Sequence, residues 1–192
     1  MSDVITFNTE QSAVKFNNTP KIFNLVPENH PILRQVLPEF DFNNPPVNPN
    51  QFASTLVETC KANGGLGLSA NQCGFPHRVF VMGTDNNFVA FFNPKVVYAS
   101  PETVHMAEGC LSFPFLGLKI TRSQEVHIEY QDFTGQVHET AFTGITARCC
   151  LHEIDHMNGI LYTDLVGSVA LKMGFKKKTK FMKQMGIVEK RK

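Results

Sequence analysis

The segment from Thr143 to Gly159 carries the residues best suited to chemistry, in the pattern H-E-x-x-H formed by His152, Glu153 and His156. Residues three and four apart on a helix project from the same side, so a helix here would direct both imidazoles at one metal ion. Glu153 would then face the open coordination position, where a carboxylate can act as a general base. The apolar residues of the opposite side predict a buried helix, capped at Thr143 and ended by Gly159.

A metal site of this kind needs a third ligand, and the chain after the pattern offers none. A metzincin requires a histidine where this chain has Tyr162, and Asp164 follows too closely for the separate helix of a thermolysin-like site. Upstream, Cys110 is a strong candidate, because a thiolate and two imidazoles form a tetrahedral set with one position left open for catalysis. The alternatives are a hydrogen-bonded core cluster of the histidines and acids, and a Cys110 that is an ordinary buried residue. The other cysteines are predicted to be packing residues: Cys60, Cys73, Cys149 and Cys150.

The composition limits the class of protein. With 192 residues, 42% of them hydrophobic, and a formal net charge of +1, the chain predicts a single well-cored domain over residues 1–192 and no dedicated DNA-binding function. No apolar run is long enough to span a membrane and the first residues do not resemble a signal peptide, so we expect a soluble cytoplasmic protein. Five cysteines, an odd number, do not predict a disulfide framework and fit a reducing compartment.

Hydrophobic periodicity predicts the order of the elements. Apolar residues at helical spacing, followed by glycines, predict a helix over residues 51–63. Segments rich in β-branched and aromatic residues predict strands at 78–83, 88–92, 95–98, 125–130 and 137–142. We therefore expect an α+β fold in which short, mostly antiparallel strands form sheets wrapped around a central buried H-E-x-x-H helix, with an N-terminal helix and a C-terminal helical tail. Residues 1–22 are predicted to be an N-terminal extension, and the Pro- and Asn-rich residues 21–50 a surface excursion.

Three separated segments resemble the motifs of one family. GLGLSANQ at residues 65–72 is similar to the G-x-G-L-A-A-x-Q motif of peptide deformylases, and EGCLS at 108–112 and HEIDH at 152–156 match their second and third motifs. Their order and intervals are specific, and the resemblance extends from about residue 30 to about residue 167. It implies a bacterial-type enzyme that removes the formyl group from N-formylmethionyl peptides and nascent proteins and releases formate.

The resemblance implies a role for each matching residue. The metal ligands would be Cys110, His152 and His156, holding Fe²⁺ in most such enzymes, with Zn²⁺, Ni²⁺ or Co²⁺ able to occupy the same ligands. Glu153 would take a proton from water and return it to the departing amine. Other matching residues would steady the oxyanion (the Gln72 amide and the Leu111 N–H), pair with the substrate backbone (Gly67 and Gly109), and support the ligands through ion pairs (Glu108, Arg122 and Asp155).

Selectivity for methionine requires an apolar pocket beside the metal, which recognises the side chain by shape and polarisability. The residues predicted to line this pocket are Leu66, Met106, Ile145 and Cys149. The chain departs from the family pattern at three positions: Ser69 replaces an alanine, Leu151 replaces a glutamine, and Gly117 stands where some members carry an arginine. The last change predicts a different preference beyond the methionine.

The tail, residues 168–192, has nine lysine and arginine residues against one acid, Glu189. Blocks of this kind are usually solvated. Because bacterial-type deformylases act on chains leaving the ribosome, the resemblance adds a second hypothesis, a basic helix that docks on ribosomal RNA. Two alternatives to a deformylase stay open, namely an H-E-x-x-H metallopeptidase and a non-catalytic homologue that binds metal or nascent chains.

Overall fold

The computed structural model describes residues 22–85 and 87–187. The N-terminal extension predicted for residues 1–22 lies outside the described residues, apart from Ile22, and so do residues 188–192 of the tail. The α-helices are α1 (Pro49–Ala62), α2 (Gly144–Met157) and α3 (Ser168–Gln184). The strands are β1 (Gly67–Ser69), β2 (Val79–Thr84), β3 (Asn87–Ala99), β4 (Thr103–Cys110), β5 (Phe113–Ser123), β6 (Glu125–Gln131) and β7 (Val137–Thr143). Among the described residues, no helix has the length and apolar character needed to cross a lipid bilayer.

Two antiparallel sheets account for all seven strands. Five strands pair in the order β1-β2-β3-β6-β7, while β4 and β5 form a separate hairpin. This combination of three helices with antiparallel sheets confirms the predicted α+β class. The predicted helix at 51–63 is α1, and the first seventeen residues of the predicted basic tail form α3.

Strand β2 shows how the large sheet is covered on both faces. Successive residues of a strand point to opposite sides, and both sides of β2 are buried. Val79 and Val81 pack in one cluster with Leu56 of α1, while Phe80 and Met82 pack in another with residues of α2. Helix α2 also contacts β5 of the hairpin.

Helix α2 begins directly after the N-cap residue predicted at Thr143. Thr143 occupies the N-cap position, but its side chain makes no capping hydrogen bond. The predicted left-handed stop is present, because Gly159 has a φ of 70°. A Cβ at Gly159 would lie 2.6 Å from the backbone oxygen of Arg34, so only glycine fits this turn without displacement.

The prediction of two short strands at 88–92 and 95–98 was wrong, because β3 runs through both. Asn93 and Pro94, between the two predicted strands, lie at an irregularity where the pairing with β6 shifts register. Asn93 adopts a φ of 50°, and its side chain accepts a 2.6 Å hydrogen bond from the Phe40 N–H and donates one of 2.9 Å to the Phe40 oxygen. The asparagine therefore anchors a neighbouring segment rather than reversing the chain.

The prediction of a surface excursion for residues 21–50 was also wrong in part. Leu33, Leu37 and Phe40 are buried, and the Leu37 N–H donates a 2.9 Å hydrogen bond to the backbone oxygen of Met157 at the end of α2. Proline and asparagine keep the regular elements short here, and the apolar residues between them fix the segment to the core.

Candidate active site

The end of β4 meets one face of α2, and there three potential metal ligands come together. The nitrogen and sulfur atoms of Cys110, His152 and His156 all lie within 4.8 Å of one another, and they form the one such group among the described residues. The Cys110 Sγ is 3.2 Å from the His156 Nε2. One thiol and two imidazoles, one helical turn apart, suit a tetrahedral transition-metal site with a free position. The donor set therefore fits a metal ion.

Behind the ligands, Glu108 holds His152 in place. Its Oε2 is 3.1 Å from the His152 Nδ1, which leaves the His152 Nε2 for a metal ion. Arg122 donates to both oxygens of Glu108, at 2.6 and 3.0 Å, and also donates to Asp155 at 2.8 Å. The structure thus brings together the three residues predicted to support the ligands.

The pKa values in this group reflect its concentrated charge. Burial raises the pKa of Glu108, but hydrogen bonds and charge interactions with His152 and Arg122 outweigh it and lower this pKa to about 2. Burial lowers the pKa of His152, but Cys110 and Glu108 outweigh it and raise this pKa to about 10. The surroundings of His152 therefore favour positive charge, as expected of a cation site. Burial together with the charge of His152 holds the pKa of His156 far below its usual value, so that imidazole is neutral.

Glu153 lies beside the ligands and lines a cavity. Burial raises its pKa above the usual value, although the charge of His152 and a hydrogen bond from Ser69 oppose this shift. A carboxylate with a raised pKa is a stronger base, which suits proton transfer near neutral pH.

The side-chain amide of Gln72 is oriented by its hydrogen bonds. Its oxygen accepts from the Ser69 N–H at 2.9 Å, so its nitrogen points toward Ser112, whose Oγ is 3.0 Å away. The same nitrogen is 3.5 Å from the Cys110 Sγ. Leu111 follows Cys110 directly and lines the cavity. Both predicted oxyanion donors therefore lie next to the ligand group.

A cavity of about 580 Å³ opens beside these groups. Six residues predicted to bind substrate were assigned to it, and five of them line it: Leu66, Gly67, Gly109, Ile145 and Cys149. Met106, the sixth, is not among the residues that line it. It precedes the buried Glu108 by two strand residues, which places it about 7 Å farther along β4, where it is 37% exposed.

The sequence interpretation missed several residues of the site. Arg148, buried on α2, donates a 2.6 Å hydrogen bond to the Glu108 Oε1. Its position four residues before His152, on the ligand face of the helix, was a signal that could have found it. Three apolar residues also line the cavity from the hairpin: Phe113, Phe115 and Leu116. No periodicity distinguished these from ordinary strand residues. Of the other cysteines, Cys60, Cys73 and Cys150 are buried free thiols, as predicted for packing residues.

Comparison with known proteins identifies the family. The family model described as polypeptide deformylase matches residues 22–171. The peptide deformylase of Rhizobium meliloti is 34% identical over 161 residues, which cover 81% of this chain and 91% of that protein.

Solved structures agree with the family match. A peptide deformylase from Synechococcus elongatus in complex with actinonin has a TM-score of 0.76 at 27% identity, covering 88% of this chain and 92% of that one. A class I type b peptide deformylase from Acinetobacter baumannii with Met-Ala-Ser bound has a TM-score of 0.72 at 27% identity, covering 77% of this chain and 100% of that one. The chain therefore belongs to the polypeptide deformylase family, whose members are the enzymes that remove the formyl group from nascent peptides.

Proposed function

We propose that this chain is a metal-dependent hydrolase of N-formylmethionyl peptides and nascent proteins, with Cys110, His152 and His156 as the metal ligands. The observation that carries the proposal is the close approach of these ligand atoms, within 4.8 Å of one another, with Glu153 opening on the same cavity. We propose Fe²⁺ as the ion, because the family resemblance implies iron. A thiolate and two imidazoles can also hold Zn²⁺, Ni²⁺ or Co²⁺. Such an ion supplies Lewis acidity for a poor electrophile, the formamide carbonyl, and for the attacking water.

Glu153 is the proton carrier in this proposal. It takes a proton from the water that attacks the formyl carbon and delivers it to the amine nitrogen as the C–N bond breaks. Its buried position raises its pKa, which favours holding the proton between the two steps. The amide of Gln72 and the N–H of Leu111 donate to the formyl oxygen as negative charge develops on it.

The cavity beside the ligands is proposed to take the methionine side chain. Leu66, Ile145 and Cys149 give it an apolar, polarisable lining, and Phe113 and Leu116 add to that surface. The Met-Ala-Ser complex of the Acinetobacter relative supports this assignment, since that tripeptide begins with methionine. The backbones of Gly67 and Gly109 are proposed to pair with the substrate chain.

Helix α2 is proposed to be the central element of a single catalytic domain, because it carries Glu153 and both histidines and contacts strands of both sheets. Glu108, Arg122 and Asp155 are proposed to keep the ligands in position from behind. Since nascent chains are the substrate, we place the enzyme in the cytoplasm.

Helix α3 is proposed to dock on ribosomal RNA. Lys176, Lys177 and Lys180 are exposed, whereas Lys178 is buried and pairs with Glu28 at 3.4 Å. Reversing the three exposed charges to glutamate should weaken salt-sensitive binding to purified ribosomes and leave deformylation of short peptides unchanged. Unchanged ribosome binding in that triple variant would overturn the docking role.

The proposed function is tested by formate release from formyl-Met-Ala-Ser. The wild-type protein should release formate, lose that activity on chelation, and regain it with Fe²⁺. Glu153→Gln should abolish turnover while elemental analysis shows the metal retained, and Glu139→Gln, an exposed site on β7, is the matched control. An unchanged rate in Glu153→Gln would overturn the role of that residue.

Formate release, together with mass spectrometry of a peptide substrate, separates the two alternative functions. An H-E-x-x-H metallopeptidase would cleave internal bonds of an unformylated peptide, which mass spectrometry would detect. A non-catalytic homologue would bind metal and peptide without releasing formate.

A further inference from the structure

Ser69 stands where the family motif carries alanine, and its side chain lies against the proposed catalytic base. The residue is fully buried at the end of β1. Its Oγ is 2.8 Å from the Glu153 Oε2 and 3.0 Å from the Glu153 backbone oxygen. A hydroxyl has one hydrogen to donate, and a carboxylate is the stronger acceptor. With Glu153 ionised, the hydroxyl therefore donates to Oε2.

The second carboxylate oxygen, Oε1, lies next to Gly67. A Cβ built on Gly67 would come within 2.6 Å of the Glu153 Oε1, and Gly67 lines the cavity. The two ends of β1 thus lie next to different oxygens of the same carboxylate. Among the described residues, Ser69 is the only side chain that donates a hydrogen bond to it.

We propose that Ser69 is a positioning residue, whose hydroxyl fixes the Glu153 Oε2 and so makes Oε1 the oxygen that takes and returns the proton. The inference rests on the proposed deformylase function. Water gives one proton to Oε1 as its oxygen bonds to the formyl carbon, and Oε1 gives that proton to the amine nitrogen as the C–N bond breaks. Oε2 keeps its hydrogen bond from Ser69 throughout, so the carboxylate does not rotate between the two transfers.

Substitution by alanine isolates this role from the other contact of the residue. The Ser69 N–H donates a 2.9 Å hydrogen bond to the Gln72 Oε1, and alanine keeps that backbone group. Only the hydroxyl is lost. Loss of the hydroxyl leaves the base without a fixed position, which reduces stabilisation of the transition state and leaves substrate binding unchanged. We therefore expect kcat to fall while KM and metal content stay unchanged.

The test compares Ser69→Ala and Ser69→Cys with Ser100→Ala, using formate release from formyl-Met-Ala-Ser by iron-loaded protein. Ser69→Cys fills the same space with a poor donor, so it tests the inference even if Ser69→Ala fails to fold. Ser100 is also buried; its hydroxyl donates to the Glu102 oxygen at 3.0 Å and accepts from the Glu125 N–H at 3.1 Å, away from the cavity.

We expect kcat to fall about tenfold to a hundredfold in a folded Ser69 variant, the value of one hydrogen bond to a charged group, and to stay unchanged in Ser100→Ala. A wild-type kcat in a folded, metal-loaded Ser69 variant would overturn the inference, and so would a rise in KM at unchanged kcat or an equal loss in Ser100→Ala. A wild-type protein that releases no formate would instead overturn the proposed function.

Discussion

Replacing Arg148 by methionine should destabilise the protein far more than removing an exposed arginine does. Arg148 and Glu108 have side chains only 5% exposed, and their charged groups are 2.6 Å apart. The same guanidinium donates to the backbone oxygens of Val104 at 2.5 Å and Ile120 at 2.9 Å. Methionine keeps most of the apolar stem and removes all of these donors.

The expected magnitude follows from burial. Removing one partner of a buried ion pair costs about 3–5 kcal/mol. Glu108 keeps Arg122 as a partner, but the buried carboxylate loses one of its two guanidinium groups and two backbone oxygens lose a donor. For a chain of this size, 1 kcal/mol corresponds to a change in Tm of about 2–4 °C, so Arg148→Met should lower Tm by about 6–20 °C.

The matched control is Arg34→Met. Arg34 pairs with Asp164 at the surface, where the two side chains are 52% and 40% exposed. An exposed pair contributes about 0–1 kcal/mol, so this variant should lose no more than about 4 °C.

Urea unfolding at 25 °C and pH 7, with thermal unfolding beside it, gives the free energy of unfolding of all three proteins. The chelated form should be used, so that metal affinity does not contribute to the difference. If Arg148→Met and Arg34→Met lose the same free energy, the buried guanidinium does not stabilise the ligand support as described.

Three further predictions concern glycines and acid stability. Gly67→Ala should lower kcat/KM about a hundredfold with the fold retained by circular dichroism, because a Cβ would lie 2.6 Å from the Glu153 Oε1 and displace the carboxylate. Gly159→Ala should lower the free energy of unfolding by about 1–3 kcal/mol, since φ there is 70°, whereas Gly167→Ala, with open space around its Cβ, should be neutral in the same urea titration. Folding lowers the pKa of Glu108 from 4.5 to about 2. The ionised Glu108 therefore stabilises the fold fully above about pH 4.5, and this contribution is lost as the pH falls toward 2. In Glu108→Gln, the free energy of unfolding should fall less steeply between pH 5 and 3, by up to about 1.4 kcal/mol per pH unit.

Local patterns predicted the elements whose periodicity is strong. Helix α1 and strands β6 and β7 appear close to the predicted bounds, because each has a regular alternation of more buried and less buried residues. The hairpin of β4 and β5 was missed. Most of β4 is exposed, so it lacks the alternation that identifies a strand, and Pro114 and Gly117 interrupt the pattern in β5.

The candidate site was predictable to the extent that chemistry fixes residue type. A thiol, two imidazoles and a carboxylate at motif spacing can be recognised in the sequence, but the residues that hold them in position cannot. The position of Arg148 on the ligand face of α2 was a signal, but its partner Glu108 belongs to β4 and comes within 2.6 Å of it only through the fold. Met106 is likewise on β4, and it is not among the residues that line the cavity. Long-range packing decides such positions.

The connection between β4 and β5 has only two residues, Leu111 and Ser112, because Cys110 pairs directly with Phe113 across the hairpin. Those two residues supply an N–H beside the proposed sulfur ligand and the hydroxyl that accepts a hydrogen bond from the Gln72 amide. Sulfur, N–H and hydroxyl therefore belong to three successive residues of one tight turn. Inserting a single residue into this turn would separate all three groups at once. We therefore expect the length of this turn to be constant among related proteins, and the length of the turn from Asp132 to Gln136, at the edge of the large sheet, to vary.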